Sequence, residues 1–256
     1  MKFPFGINFQ VSTFTFQLYM KRIAIIVAMQ SEFNLVSNIL ENAESREIGG
    51  AKALVGELFG KQIILLKSGI GKVNAAMQVT SLIAEMHPDY IINSGVAGGI
   101  GEGMHQGDIV VGTETCYHDV WCGEGEWGQV QGFPLKFSAN EHLLEVMNNV
   151  QCIMHNAQLN LNSRLVFGLI CTGDQFISDL VILRGIKRNF PDGKAVDMES
   201  AAIAQVCYVK NVPFMSLRIV SDTPGMETDN TAQYLDFFAE APKMTFAVLR
   251  QLIEMI

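Results

Sequence analysis

Residues 90–101 read YIINSGVAGGIG, an apolar run that leads into a glycine-rich stretch. Apolar side chains at successive positions are typical of a strand that is buried on both faces, as strands between two helix layers are. Glycine lets the backbone turn sharply and approach a ligand closely. The stretch therefore predicts a buried strand over 90–95 that ends in a ligand-binding turn.

Five more runs have the same character, at 22–29, 62–68, 108–115, 164–172 and 213–221. Helical patterns alternate with them, at 30–41, 71–86, 140–150, 179–189, 199–210 and 236–255. This order predicts an α/β fold with a central, largely parallel mixed twisted sheet flanked by helices. A chain of 256 residues without an internal linker fits a single domain over 21–256. Polar residues interrupt any signal-peptide core in residues 1–20, which we expect to be a poorly ordered extension or a misassigned start.

Composition narrows the class of protein. A net charge of −8 with scattered basic residues argues against nucleic acid as a partner. No run reaches the length of about 18 apolar residues that a membrane span needs. Five cysteines without a CxxC pair fit a reducing compartment, here the cytoplasm, and the histidine spacing suggests no metal site. With 49% apolar and 17% charged residues, we expect a partly apolar surface and a homo-oligomer.

The segments that follow the predicted strands carry polar groups and glycines. In open α/β sheets, ligands bind beyond the carboxyl ends of the strands. Those ends read AMQSE (28–32), SGIGKVNAA (68–76), TGDQFI (172–177) and SD (221–222). Each is a weak signal alone, because turns after strands are commonly rich in glycine. Their joint occurrence predicts a ligand cleft at this edge.

Arg218 lies inside the apolar run FMSLRIVSD (214–222), where a buried arginine requires an acidic or polar partner. Glu32, Glu199 and Asp222 are the available acids. This set of charged residues predicts either a buried ion pair of Arg218 with one of the acids, between sheet and helix, or a cleft whose carboxylates supply a general acid and a general base. Glu199 begins a helical stretch in AVDMESAAIA (195–204), so capping a helix dipole has equal weight with binding a ligand.

A set of ordered motifs resembles the 5′-methylthioadenosine/S-adenosylhomocysteine nucleosidases of the nucleoside phosphorylase superfamily. The motifs are IIVAMQSE (25–32), LLKSGIGKVNAA (65–76), IINSGVAGGI (91–100), GDIVV (107–111), TGDQFI (172–177), AVDMESAAIAQVC (195–207) and RIVSD (218–222). The resemblance extends from about residue 21 to the end of the chain. It implies hydrolysis of the N-glycosidic bond of methylthioadenosine, S-adenosylhomocysteine and 5′-deoxyadenosine, with release of adenine and without a cofactor. Methionine salvage and methyl-cycle detoxification would be the context.

The resemblance also implies roles for individual residues. Glu32 would activate water with the help of Arg218. Asp222, assisted by Ser221, would protonate N7 of adenine through an oxocarbenium-like transition state. The other implied contacts with substrate are Met198 and Glu199 at the ribose, Phe176 and Ile177 at adenine, Ala28 and Gly98 in the cleft, and Tyr234 over the ribose and 5′-substituent.

The family is homodimeric, and a segment of the neighbouring chain closes the 5′ pocket. Residues 121–134 are the candidate here, with Trp121 and Phe133 as the side chains. This segment is shorter and more acidic than the family pattern. Val96 also departs from it, because many members carry a serine there that holds the attacking water. The water would then rely on Glu32 and Arg218.

Three alternatives remain open. A purine nucleoside phosphorylase must bind phosphate in its first strand–helix turn, where Glu32 would repel it. A futalosine hydrolase shares the machinery and differs in the 5′ pocket. A catalytically inactive nucleoside-binding protein would have no need of three carboxylates and Arg218.

Overall fold

The computed structural model describes residues 20–156, 164–224, 232, 234, 237 and 242–256. Residues 1–19 of the expected N-terminal extension lie outside this part, as does most of 225–241. The described strands are β1 (Arg22–Val27), β2 (Glu41–Ile48), β3 (Ala51–Leu58), β4 (Lys61–Lys67), β5 (Tyr90–Gly99), β6 (Ile109–Tyr117), β7 (Lys136–Ser138), β8 (Leu165–Thr172), β9 (Gly193–Asp197) and β10 (Phe214–Asp222). The described helices are α1 (Gln30–Ser37), α2 (Lys72–Met86), α3 (Glu141–Asn156), α4 (Leu180–Asn189), α5 (Ser200–Lys210) and α6 (Pro242–Met255).

Strand β5 is the branch point of the sheet. It pairs in parallel with β1 and β10, and its last residues pair antiparallel with β9. Because β10 also pairs with β6, and β6 continues through β8 to β9, the strands β5, β10, β6, β8 and β9 close into a ring. The rest of the sheet extends from β5 in the order β1, β4, β3, β2. The predicted α/β class with a mixed sheet is confirmed.

Two helix layers cover the sheet, which explains why its central strands are apolar on both faces. In β1, Ile23 and Ile25 pack into one cluster with residues of α1, α3 and α6. The alternate residues Ala24 and Ile26 pack into a second cluster with residues of α2 and α5. Side chains of a strand point alternately to opposite faces, so each face of β1 contributes to a separate core.

The hairpin of β2 and β3 corrects the prediction of a helix over 30–41, because α1 ends at Ser37 and a strand begins at Glu41. Seven of the eight residues of β2 are exposed, so the strand carries no apolar pattern. Gly49 and Gly50 connect the strands with φ of +56° and +78°, which suits the tight turn of a hairpin. The short strands β7 and β9 are also absent from the sequence-based prediction.

Strand β5 is longer than predicted. It continues through Gly99 instead of ending near Gly95, because its glycine-rich half pairs with β10 on one side and β9 on the other. A side chain on Gly95 would place its Cβ 2.4 Å from Arg218 Nη1 and 2.7 Å from Glu32 Oε1. Glycine at this position therefore leaves room for the side chains of Arg218 and Glu32 beside the strand.

Candidate active site

A cavity of about 580 Å³, counting its open mouth, lies at the carboxyl ends of the central strands. It brings together every residue predicted for a single chain's cleft: Ala28, Glu32, Gly98, Phe176, Ile177, Met198, Glu199, Arg218, Ser221, Asp222 and Tyr234. Val96, which was expected beside the attacking water, also lines the cavity. The lining further includes residues to which the prediction gave no role, namely Met29, Ile70, Ala97, Gln175, Val196 and Asp197. The positions predicted from separate strand ends thus converge on one site.

Glu32 lies in the first turn of α1 and is buried. Its Oε2 accepts hydrogen bonds from the backbone N–H groups of Ala28 and Met29, both at 2.9 Å. Its Oε1 accepts one from the N–H of Val96 at 3.2 Å. Burial raises the pKa of Glu32, while Arg218 and these donors oppose the rise. The result is an anchored carboxylate that is more basic than an exposed one.

Arg218 is 1% exposed, and its charge is balanced by carboxylates. Its Nη2 lies 2.7 Å from Asp197 Oδ2 and 3.2 Å from Glu199 Oε2. The same nitrogen donates to the Asn93 side-chain oxygen. Burial lowers the pKa of the guanidinium but the two carboxylates raise it more, so the pKa of Arg218 is raised overall. The arginine is fixed as a permanent cation beside Glu32.

Glu199 does not cap its own helix. It occupies the position before α5, but its side chain makes no hydrogen bond to the first turn of that helix. The N–H of Ser200 donates instead to Asp197 Oδ2 at 3.2 Å. The Glu199 carboxylate instead accepts from the N–H of Gly71 at 2.9 Å and faces the cavity. Burial raises the pKa of Glu199 to about 7, against the effect of Arg218. Of the two readings left open by the sequence, the geometry favours ligand binding.

Asp222 ends β10 at an irregularity in the sheet. The register between β10 and β5 shifts between Val220 and Asp222, which leaves Ser221 as an extra residue. Such bulges re-aim side chains. The Ser221 hydroxyl lies 2.7 Å from Asp222 Oδ1 and 3.3 Å from the carbonyl oxygen of Ala97. Burial raises the pKa of Asp222, opposed by the hydrogen bond from Ser221, and a raised pKa favours a carboxyl group that holds a proton.

Aromatic and apolar side chains form the walls near the mouth. The rings of Phe176 and Tyr234 meet edge-on with centroids 5.6 Å apart. The Tyr234 hydroxyl lies 3.2 Å from the sulfur of Met29. Phe176 is partly exposed while the neighbouring Ile177 is buried. A flat, apolar ligand group such as a purine can be enclosed between such surfaces.

Trp121 and Phe133 do not line the cavity of their own chain. Trp121 is exposed and stacks on Trp127, with ring centroids 5.7 Å apart. Phe133 packs against Phe137 and Tyr208. Their predicted place in the pocket of a neighbouring chain stays a prediction.

Asp197 and Asn93 are polar residues of the site that the sequence reasoning did not assign. Both are buried and both contact Arg218. Asn93 stands in the apolar run of β5, so the argument applied to Arg218, that a buried polar group needs a partner, also identifies it. Within the described ranges, no group of three or more His, Cys, Asp or Glu side chains is arranged to hold a metal ion.

Fold and site together define a class. The model of the Phosphorylase superfamily matches residues 22–254. The 5′-methylthioadenosine/S-adenosylhomocysteine nucleosidase of Bacillus cytotoxicus is 42% identical over 218 residues, which are 84% of this chain and 92% of that protein. The chain belongs to the 5′-methylthioadenosine/S-adenosylhomocysteine nucleosidase family, whose members are N-glycosidic hydrolases.

Two solved structures illustrate the likeness. The nucleosidase from Neisseria meningitidis, in complex with methylthio-immucillin-A, is 35% identical with a TM-score of 0.84, and the match covers 93% of this chain and 100% of that one. A futalosine hydrolase from Helicobacter pylori is 24% identical with a TM-score of 0.83, covering 93% and 99%. The second likeness is one of fold alone. No helix in the described residues is both long and apolar enough to cross a membrane.

Proposed function

We propose that the chain hydrolyses the N-glycosidic bond of 5′-methylthioadenosine and S-adenosylhomocysteine, and of 5′-deoxyadenosine, releasing adenine and the 5′-substituted ribose. One observation carries the proposal. Two buried carboxyl groups with raised pKa values, Glu32 and Asp222, line the same cavity from different elements of the fold. A base on one side and an acid on the other are what hydrolysis of a nucleoside requires.

Glu32 is the general base. Water attacks C1′ of the ribose, and Glu32 takes one of its protons as the bond from C1′ to N9 breaks. The positive charge of Arg218 acts on the Glu32 carboxylate, whose oxygens are held by backbone N–H groups. Val96 supplies an N–H to Glu32 but no side-chain hydroxyl for the water, so the water depends on the glutamate and the arginine.

Asp222 is the general acid. Its proton passes to N7 of adenine, so that the base leaves as a neutral molecule instead of an anion. Ser221 holds the Asp222 carboxyl in place through the hydrogen bond between them. One proton is taken from water and one is given to the base, and exchange with solvent then returns Glu32 to its carboxylate form and Asp222 to its acid form.

Glu199 binds the ribose, with Met198 beside it in the cavity wall. The 2′- and 3′-hydroxyl groups donate hydrogen bonds to the Glu199 carboxylate. Phe176 stacks on adenine, the backbone of Ile177 reads its edge, and Gly98 and Ala28 leave room for the base and the reaction centre. Tyr234 lies over the ribose and its 5′-substituent.

Phosphorolysis is the main competing reaction. A phosphate next to Glu32 would meet a carboxylate whose two oxygens already occupy three backbone N–H groups. Those donors are then not free for an anion, and the negative charge repels one. Hydrolysis is the reaction that these contacts favour.

A simple experiment tests the proposal. The protein is incubated with methylthioadenosine with and without phosphate, and the sugar product is identified by mass spectrometry. We expect free methylthioribose in both cases, carrying one ¹⁸O atom when the reaction runs in H₂¹⁸O. A sugar 1-phosphate as the product would show that the reaction is phosphorolysis instead of hydrolysis. A higher kcat/KM for futalosine than for methylthioadenosine would identify the chain as a futalosine hydrolase. No turnover of any of these substrates would identify it as a nucleoside-binding protein without activity.

We also propose a cytoplasmic homodimer whose catalytic domain is residues 21–256. Support for the dimer comes from exposed apolar side chains around α2, at Ile70, Val73 and Met77. Ile70 also lines the cavity, so a neighbouring chain bound there would lie beside the 5′ end of the substrate.

The five cysteines are free, which suits the proposed location in the cytoplasm. Light scattering on wild type and Val73→Lys tests the dimer, and a monomeric wild type would contradict it. Activity assays with and without residues 1–20 test the catalytic domain, and an inactive truncated protein would contradict it.

A further inference from the structure

Three charged residues outside the cavity tie together the segments that carry its binding groups. Lys72 begins α2, Asp119 follows β6 and Asp174 follows β8; we call them the Lys72 cluster. Lys72 Nζ lies 2.8 and 2.7 Å from the two carboxylate oxygens of Asp119, and 3.8 Å from Asp174 Oδ2. None of the three lines the cavity. Any effect of the cluster on a ligand must therefore pass through neighbouring residues.

The cluster holds main chain as well as side chains. The N–H of Asp174 donates to Asp119 Oδ2 at 2.9 Å, and the N–H of Lys72 donates to Asp174 Oδ1 at 2.7 Å. A backbone donor fixed by a carboxylate restricts the path of its segment, whereas an ion pair between two flexible side chains alone does not. Three loops from three strand ends are therefore locked to one another.

Two of the locked segments continue directly into groups that act in the cavity. Gly71 precedes Lys72 and donates its N–H to Glu199 Oε1 at 2.9 Å. Gln175, Phe176 and Ile177 follow Asp174 and line the cavity. The cluster thus connects the carboxylate proposed for the ribose to the segment proposed for adenine.

We propose that Lys72, Asp119 and Asp174 are positioning residues that couple ribose binding at Glu199 to adenine binding at 175–177. The assignment rests on the proposed function for the identity of the two ligand groups. Without the Lys72 ammonium, the two aspartates repel each other, and the hold on Gly71 and on the segment after Asp174 weakens. Glu199 then loses the N–H that orients its carboxylate toward the sugar.

A double-mutant cycle tests this coupling. Lys72→Met removes the charge and keeps most of the side-chain length. We expect it to lower kcat/KM for methylthioadenosine about tenfold, within the range for groups that share one network. In a Glu199→Ala background, which has no acceptor for the Gly71 N–H, the same change should cost clearly less, about threefold, because only its effect on the adenine segment remains. Equal losses in the two backgrounds would overturn the proposal.

The chain provides a matched control. Lys136 lies 2.7 Å from Asp192 and 3.4 Å from Glu114, with exposure similar to that of the Lys72 cluster, and lines no part of the cavity. Lys136→Met should leave kcat/KM within about twofold of wild type, because this lysine makes only side-chain ion pairs outside the cavity. An equal loss of activity in both variants would mean a general effect of surface charge and would refute positioning.

A second variant and a second measurement keep the test decisive. If Lys72→Met does not fold, Asp119→Asn enters the same cycle, because it removes the charge and keeps one oxygen for the N–H of Asp174. The dissociation constant of free adenine, measured by calorimetry, should rise severalfold in either variant. If wild type binds methylthioadenosine without cleaving it, the proposed function fails, and the cycle is then run on its dissociation constant.

Discussion

Replacing Asp222 by asparagine separates proton donation from every other role of this residue. Asparagine has the shape of a protonated aspartic acid and keeps an oxygen for the Ser221 hydroxyl, which lies 2.7 Å from Asp222 Oδ1. It has no proton to give to N7 of adenine. General acid catalysis typically contributes about 10²–10⁴-fold to a rate. We therefore expect turnover of methylthioadenosine to fall by that factor, which corresponds to about 3–5 kcal/mol of activation free energy.

The same substitution should not destabilise the fold. Burial raises the pKa of Asp222 above its usual value of 3.8, so the folded protein binds a proton there more tightly than the unfolded chain does. The contribution of this group to stability is then largest at low pH and is lost as the pH rises through the folded pKa. Asparagine stays neutral at all pH values. The free energy of unfolding of Asp222→Asn relative to wild type should therefore increase as the pH rises above 3.8.

Two substrates provide the assay. Methylthioadenosine has a leaving group that needs protonation, and a p-nitrophenyl riboside has one that does not. Release of adenine and of nitrophenolate is measured for both proteins at the same pH, with urea unfolding curves as the stability measurement. We expect the loss of turnover on methylthioadenosine to be at least about tenfold greater than the loss on the nitrophenyl substrate. Equal losses on the two substrates would show that Asp222 organises the site without donating the proton.

Four further predictions concern the other charged groups. Glu32→Gln should lower turnover by about 10²–10⁴-fold with a native circular dichroism spectrum, since an amide accepts no proton from water; near-wild-type turnover would remove Glu32 from this role. Glu199→Gln should weaken the binding of an uncleavable methylthioadenosine analogue more than the binding of adenine, and equal effects in calorimetry would contradict ribose contact. Because burial raises the pKa of Glu199 to about 7, wild type should lose stability relative to Glu199→Gln between about pH 4.5 and 7, and a pH-independent difference in urea unfolding would refute this. Arg218→Met should cost about 3–5 kcal/mol of unfolding free energy by leaving two buried carboxylates unpaired, and a loss below about 1 kcal/mol would refute that pairing.

The central strands can be predicted because burial on both faces leaves a direct trace in the sequence. Ile23 and Ile25 face one helix layer while Ala24 and Ile26 face the other, so the whole run is apolar. Strand β2 leaves no such trace, since its side chains are mostly in water. The extension of β5 to Gly99 cannot be predicted either, because glycine has low strand propensity and only pairing with β9 and β10 holds those residues extended.

The position of the site follows from a rule of topology, and the proposed chemistry follows from the motifs. Residues after parallel strands share one edge, which is why Glu32, after β1, and Asp222, at the end of β10, can be grouped from their places in the sequence alone. Phe176 follows β8, which runs antiparallel to β10, so its place in the site depends on the closed ring of strands. The contact between Arg218 and Asp197 cannot be predicted in this way. It depends on β9 lying beside the end of β5, and the short β9 has no distinct pattern in the sequence.

The closed ring of strands has a consequence for how the chain acquires its shape during synthesis. Strand β10 lies between β5 and β6, although more than ninety residues separate it from either in sequence. On the ribosome, β5 and β6 must therefore wait with open edges until residues 214–222 emerge, and such edges invite aggregation. The strand that closes this gap also delivers Arg218 and Asp222. A nascent chain is consequently inactive until most of it has been made, and a truncation before Phe214 removes the strand that closes the ring together with Arg218 and Asp222.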